Sequence, residues 1–298
     1  MENFKKLCKN SLAITKINLL RHLRDIRCLF VLCVTVILIV HYVKPYLLYA
    51  IDSGADCTFC MLPTLFNSTT ISVGAPKTLL HIGLILLLCD APFSHAMTAG
   101  VVLRGGRRGW WISGCLTVLL ISFLYMSFIS LVSSLILLPA HHPGNSWGKV
   151  FSDFRMQGRL GVEYPHIQIS AKVTNYLYPY GAQLYTFVTG CCSFVLVGLI
   201  MYLISLISDN VIYGLSAAGF LVMIDPVIKW VEDPYWYWMD AFSPVGWCST
   251  DHFAFMDARF FLTPVYVGIA FSVTIIGFIC LIAVFSKRSE IMAGREGL

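Results

Sequence analysis

The apolar residues of this chain fall in continuous stretches of about 20 residues, the length that a hydrocarbon layer of roughly 30 Å demands of an α-helix. Lipid offers no partner for a free backbone N–H or C=O, so each stretch must be a helix or part of a closed barrel. The runs are continuous rather than alternating, which selects helices. Composition agrees: 57% of residues are hydrophobic, 12% are charged and the mean hydropathy is +0.75, whereas soluble domains carry about 25% charged residues. The expected fold is all-α and polytopic. Six spans are expected at about 29–49, 78–98, 111–138, 184–207, 211–228 and 264–285, joined on the outer side by segments 50–76, 140–181 and 229–262. Residues 28–286 thus form one membrane domain, flanked by 1–27 and a tail at 287–298.

The first 27 residues are too polar for the apolar core of a cleavable signal, so the first span is expected to stay in the mature protein. Phe4, Leu7, Leu12, Ile17, Leu20, Leu23 and Ile26 recur at mostly helical spacing among seven basic residues, although Ile14 breaks the stripe. Two readings stand: a basic amphipathic helix in the inner-leaflet interface, in contact with lipid, or a basic tail that only sets topology. The basic residues flank span ends as the positive-inside rule places them, which points to orientation and not to nucleic acid. The seven N-terminal ones, Arg104, Arg107 and Arg108, and Lys287, Arg288 and Arg295 fall on one side, thirteen of the chain's 21. Both termini are therefore expected in the cytoplasm.

The second apolar stretch, beginning at Thr78, meets Asp90 and Pro92 after only about 20 Å of helix at 1.5 Å per residue. Either it continues bent past Pro92 towards Leu103, or it stops and a separate helix starts at Asp90 or Ser94, both acceptable N-caps. Ionisable residues inside spans are functional candidates by default, and those recognised are His81, Asp90 and Asp225. His81 reads as a packed residue in the outer half. Asp90 reads as a helix cap, with a gate or cytoplasmic contact as the alternative. Asp225, beside Pro226, reads as the polar end of the fifth span or as an ion site.

Outside the spans, Cys57 and Cys60 form a C-x-x-C for which a local disulfide is favoured over zinc. His141 and His142 lack a further ligand, so no metal is expected. Asn67-Ser68-Thr69 matches a glycosylation acceptor. Trp230, Tyr235, Trp236, Tyr237 and Trp238 suit short helices at headgroup level, an outer aromatic surface. There is no GxxxxGK[ST] loop, HExxH pair or GxSxG elbow, so the chain has no nucleotide loop of its own and no familiar hydrolase motif.

This order of a basic interfacial helix, six spans, a cytoplasmic helix after the second and aromatic outer helices before the sixth resembles the membrane subunit of a type 2 ATP-binding-cassette (ABC) exporter. Three runs are similar to permeases of this type from Gram-positive bacteria. They are Leu87-Leu88-Cys89-Asp90-Ala91-Pro92-Phe93, Leu103-Arg104-Gly105-Gly106-Arg107-Arg108-Gly109-Trp110 and Asn145-Ser146-Trp147-Gly148-Lys149-Val150. The resemblance implies a coupling helix at Ser94 to Leu103, including His95 and Met97, ending in the cluster Arg104, Arg107 and Arg108. It implies two ABC ATPase subunits holding ATP and Mg, a second permease copy or a related permease, a cytoplasmic-membrane location, and a peptide, lipid or drug-like cargo. An immunity or scaffold protein that binds a peptide without transport, and an intramembrane enzyme using His81, Asp90 or Asp225, are the alternatives.

Overall fold

The structure, a computed structural model, describes residues 2–67, 71–93, 98–141, 144–156, 171–228, 239–250 and 262–286. Its helices are α1 (Glu2–Arg24), α2 (Ile26–Ser53), α3 (Leu62–Leu65), α4 (Ile71–Leu87), α5 (Thr98–Leu137), α6 (Gly148–Met156), α7 (Ala171–Tyr176), α8 (Pro179–Ser208), α9 (Val211–Ile228) and α10 (Pro264–Phe285). Five stretches are long and apolar enough to cross a membrane: α2, the part of α5 from Arg108 on, α8, α9 and α10. The chain is thus an all-helical, multi-pass membrane protein. Helices α9 and α10 have the expected limits, α2 runs three residues further at its start and four at its end, and α8 five further at its start and one at its end. The expected second span is displaced. It occupies 71–87 rather than 78–98, ending in a turn at Leu88–Pro92, and its apolar part, Ala75–Leu87, is the short one.

Local chemistry sets these limits. Asp25 caps α2 by accepting from the Arg27 N–H at 2.9 Å, and Gly54 ends it at φ 61, a left-handed conformation that costs glycine little. Thr263 caps α10 by accepting from the Tyr266 N–H, with Pro264 in the first turn where its missing N–H is harmless. Between α8 and α9 only Asp209 and Asn210 intervene; Asn210 accepts from the Ile212 N–H at 2.9 Å. So short a turn forces an antiparallel hairpin. Gly214 lets it close, because a Cβ there would stand 2.5 Å from the Met201 carbonyl oxygen and collide with Ser205 Oγ.

Helix α8 is the central post, packed by α3, α4, α5, α9 and α10. Small residues make this possible: Gly190 faces Met126, and Gly198 faces Val118 and Leu88. Lipid-embedded helices gain from such close approach because apolar surface alone does not distinguish a neighbour from lipid. Exposed Leu, Ile, Val and Phe side chains cover the outer faces of α2, α9 and α10.

Helix α5 bends at Gly106 (φ 78, ψ 153), so a short piece from Thr98 precedes the long span. Helix α1 lies against the first turns after the bend. Ile14, the residue that interrupts the apolar stripe, is buried there: Gly109 faces Ser11 and Ile14, and the Thr15 hydroxyl reaches the Ser113 carbonyl at 3.4 Å. Leu12, Ile17, Leu20 and Leu23 remain exposed beside exposed lysines. One face of α1 therefore docks on protein, and the other is an apolar and basic surface suited to an interface.

At the opposite end, the α2–α3 connection and residues 140–141 and 144–156 fold together. Cys57 N–H donates to Ala140 O at 3.2 Å, Val150 N–H donates to Asp56 O at 3.1 Å, and Trp147 Nε1–H donates to Leu177 O at 2.8 Å. The disulfide expected between Cys57 and Cys60 is not formed. Both are free, buried thiols, and burial pushes Cys57 up to about 12 and Cys60 up to about 11. The pairing of Cys57 with Ala140 and of Asp56 with Val150 already fixes this loop.

Two helical glycines separate packing from propensity. Gly214→Ala should destabilise the protein by about 1–3 kcal/mol through overpacking. Gly219→Ala, with nothing within 4 Å of the new methyl, should gain up to about 1 kcal/mol of helix propensity. Thermal unfolding in detergent measures both, and equal shifts would contradict the packing described.

Candidate functional site

Lys77 and His81 lie four residues apart on α4 and so share one face of an otherwise apolar helix. Lys77 Nζ stands 2.9 Å from Asp225 Oδ2 on α9, and the two side chains are 0% and 1% exposed. The ammonium also donates to Ser249 Oγ at 2.7 Å. Ten residues separate Lys77 from the end of α4, and fourteen separate Asp225 from the start of α9. At 1.5 Å per residue these are depths of about 15 and 21 Å, inside a layer roughly 30 Å thick.

Ser249 belongs to residues 239–250, which are not a span yet are almost wholly buried; Ser243, Val245, Cys248 and Ser249 are each 0% exposed. Irregular backbone at membrane depth is tolerable only where protein or a water-filled cavity covers it. Here the segment enters the bundle beside α4, α8 and α9. Gly246 lets it seat, since a Cβ at that position would collide with Asp240 Oδ1 and stand 3.3 Å from Asp225 Oδ1. Two carboxylates and one ammonium thus converge, and Lys77 feels the attraction of both Asp225 and Asp240.

His81 completes the cluster. Its Nδ1 is 2.8 Å from the Lys77 carbonyl, which only accepts, so Nδ1 carries the proton; in the neutral ring Nε2 then accepts from the Ser193 hydroxyl at 2.9 Å. The ring packs edge-on against Phe66 and Phe194. The Ser193–His81 pair is fully buried, so His81 sits as the packed residue that its place in the span suggested.

A second cluster lies at the α1 end of the bundle. Asp90 reads in the sequence as a helix cap, with a gate or cytoplasmic contact as the alternative; in the structure its carboxylate takes both arms of the Arg27 guanidinium, Nη1–Oδ1 at 3.0 Å and Nη2–Oδ2 at 2.9 Å. The fork geometry matches a planar carboxylate, and a fork explains the departure from the capping role. Arg27 also holds Asp25 and reaches Cys89 Sγ at 3.1 Å. The hydrogen bond from Arg27 keeps Asp25 below the usual carboxylate range. The α1–α2 junction is thereby tied to the turn after α4, in which Pro92 lies. His22, half-buried beside these charges, is held below its ordinary value of 6.5 by desolvation, against the pull of Asp90 and Asp25.

Of the expected coupling residues, Ser94, His95 and Met97 lie outside the described residues. Leu103, Arg104 and Arg107 lie on the helical backbone of α5, and Arg108 is exposed. Tyr235, Trp236 and Trp238 also lie outside the described residues. Among the described residues a cleft of about 620 Å³ lies between α6 and α7 with Trp147, Phe151, Tyr176 and Tyr178 in its lining. Among the described residues no three His, Cys, Asp or Glu side chains are grouped to hold a metal ion. Lys77 was missed by sequence reasoning, because it was placed at a span boundary. The signal was its i, i+4 spacing from His81 inside a helix whose apolar run starts earlier.

No protein family, curated protein or solved structure matches this chain.

The charge count ranks two substitutions. Asp225→Asn leaves the Lys77 ammonium a second carboxylate, Asp240, in its field, whereas Lys77→Met takes the ammonium away from both. Removing one partner of a buried pair costs about 3–5 kcal/mol, and the lysine variant should lose the more, by thermal unfolding of purified protein. The opposite order would show that Asp240 plays no part in the balance.

His22 gives a pH dependence. Its folded pKa is depressed, so the unfolded chain binds the proton more readily. Its contribution is complete above about 6.5 and is lost as pH falls from there through the folded value. On acidification below pH 6.5 the wild type should lose more thermal stability than His22→Gln, and parallel curves would refute this.

Proposed function

We propose that this chain is the membrane-spanning permease subunit of an ABC-type exporter. It pairs with a second copy or a related permease and with two ATPase subunits that hold ATP and Mg, and it moves an amphipathic cargo outward across the cytoplasmic membrane. The chain crosses six times, with the α1 end facing the cytoplasm. The observation that carries this reading is the bend of α5 at Gly106. It sets a short helical piece, followed by Arg107 and Arg108, at the end of the bundle where α1 is docked. A membrane protein that draws its work from a separate ATPase needs a rigid contact at one face, through which closure of the partner biases the packing of its helices. The α5 piece has that support from two sides: α1 packs on the turns after the bend, and the Arg27–Asp90 fork holds the turn before it.

The local resemblance of residues 87–93, 103–110 and 145–150 to permeases of this class points the same way. So does the clustering of basic residues at 1–27 and 104–108, which the positive-inside rule assigns to the cytoplasm.

Solubilised from its native host, the chain should bring down an ATPase that has its own nucleotide-binding loop. The triple variant Arg104→Glu, Arg107→Glu, Arg108→Glu should insert normally and lose most of that association. Repeated purification with no ATPase would sink the proposal. Undiminished association of the triple variant would move the docking site elsewhere.

A further inference from the structure

Along α5 the residues at 127, 130, 131, 134, 135 and 138 recur every three or four positions and so share one face of the chain as it leaves the bundle. Three of them are serines, set beside the exposed Leu131, Leu135 and Leu138. The small side chains leave a groove of about 410 Å³, closed by Phe59 from the α2–α3 connection and by Phe187 of α8. Its walls are held from behind. The Phe59 ring packs on His141 and Tyr180, with centroids 4.8 and 5.6 Å away, and Phe187 meets Phe123 edge-on at 5.9 Å. Ser134 Oγ donates to the Phe59 carbonyl at 3.3 Å, and Ser130 Oγ accepts from Gln183 Nε2 at 3.2 Å. Two of the three hydroxyls are thus engaged by the protein, and no lining residue carries a charge. The groove offers an occupant mostly hydrocarbon.

Its place and shape select that occupant. It lies on a membrane-crossing stretch and opens sideways between exposed leucines. An apolar cavity does not hold water, and an empty one forfeits the contacts of every atom that lines it. From Ser127 to Leu138 the helix rises about 16 Å, so the mean cross-section of the groove is about 25 Å². A helix 10–12 Å across occupies roughly 80–110 Å², too much for a helix of a second copy to seat there. An extended hydrocarbon chain is the thin apolar body that a bilayer supplies. The groove reaches the end of α5, and its length is close to half of a layer roughly 30 Å thick, the depth of one leaflet.

We propose that this groove binds one acyl chain of a bilayer lipid, from the leaflet at the Leu138 end, as a constant part of the packing between α5 and α8. Other lipid-facing surfaces meet a chain on one side; here it is enclosed by α5, Phe59 and Phe187. Binding of the chain is independent of transport.

The full-length protein is reconstituted in phosphatidylcholine vesicles in which a small fraction of the lipid carries a diazirine midway along one acyl chain. After irradiation, adducts are assigned residue by residue with peptide mass spectrometry. The outer face of α10 is the reference: Val265, Ile269 and Val273 are 71%, 59% and 65% exposed, against 58%, 56% and 59% for Leu131, Leu135 and Leu138. Lipid that merely surrounds the protein labels the α10 residues at least as much. Adducts on the three leucines should instead exceed those on α10 by about fivefold or more, because an enclosed chain gains contacts that an open face does not offer. Ser127→Leu combined with Ser134→Leu fills the groove and should bring the leucines down to the α10 level, with α10 itself unchanged. The wild-type comparison carries the test if that variant does not fold. Equal labelling of the two faces in the wild type would overturn the proposal. So would leucines labelled less than α10, as when a second copy covers them, or an excess that survives the filled groove. No ATPase enters the measurement, so its failure is distinct from failure of the co-purification.

Discussion

In a bundle whose lipid-facing surfaces are as apolar as its core, burial of apolar area does not decide which helices touch. Close backbone approach and polar pairing do. Both converge on α8 and its neighbours. The glycines at 190, 198 and 214 remove the Cβ atoms that would hold α5, α4 and α9 away, and Ser193 on α8 receives His81 from α4. Helix α10 shows the contrary case. Its sequence is the most apolar of the spans, yet only Val267, Phe271 and Ile282 are buried. Its glycines at 268 and 277 have nothing within 4 Å, so they bring no neighbouring helix close, and the helix stays at the edge of the bundle.

The limits of α9 and α10 were legible because in each case a turn or a capping residue coincides with the edge of the apolar run. The limits of α4 were not. An apolar stretch counted from Thr78 leaves Lys77 just outside it, and Asp225 reads as the polar end of a span or as an ion site; nothing local to either position says that they meet. The same holds for Arg27 and Asp90, 63 positions apart. In the sequence Arg27 is one of many basic residues that set orientation, and Asp90 reads as a cap, a gate or a cytoplasmic contact, with no partner indicated for either. Ile14 interrupts the amphipathic stripe only where lipid is the single partner of the helix. Helix α1 has two partners, and Ile14 belongs to the second.

Helix α4 now takes on a specific mechanical character. It is short, about 25 Å at 1.5 Å per residue, and charge pairing fixes it towards each end. The turn at its C-terminal end is forked to Arg27 at the α1–α2 junction; its other half is bound through Lys77 to α9 and to the buried segment. The two clusters differ in strength. Arg27 and Asp90 are partly exposed, with side-chain accessibilities of 53% and 34%, so solvent screens them and the fork fixes orientation more than it adds stability. Lys77 and Asp225 have no such screening, and separating them leaves charge in a medium that cannot solvate it.

This asymmetry says which contact yields first when the bundle is worked from the α1 end. In the proposed exporter, force arriving at the α5 bend and at the α1–α2 junction reaches α4 through the weaker, reorientable fork, which turns the helix without breaking it away. At the far end the same rotation acts on the buried ion pair of Lys77 with Asp225 and on its hydrogen bond to Ser249. Contacts in a close-packed interior are kept or exchanged rather than stretched, so a small turn of one short helix is converted into a change between two discrete arrangements, which is the form that a switch in a packed interior must take.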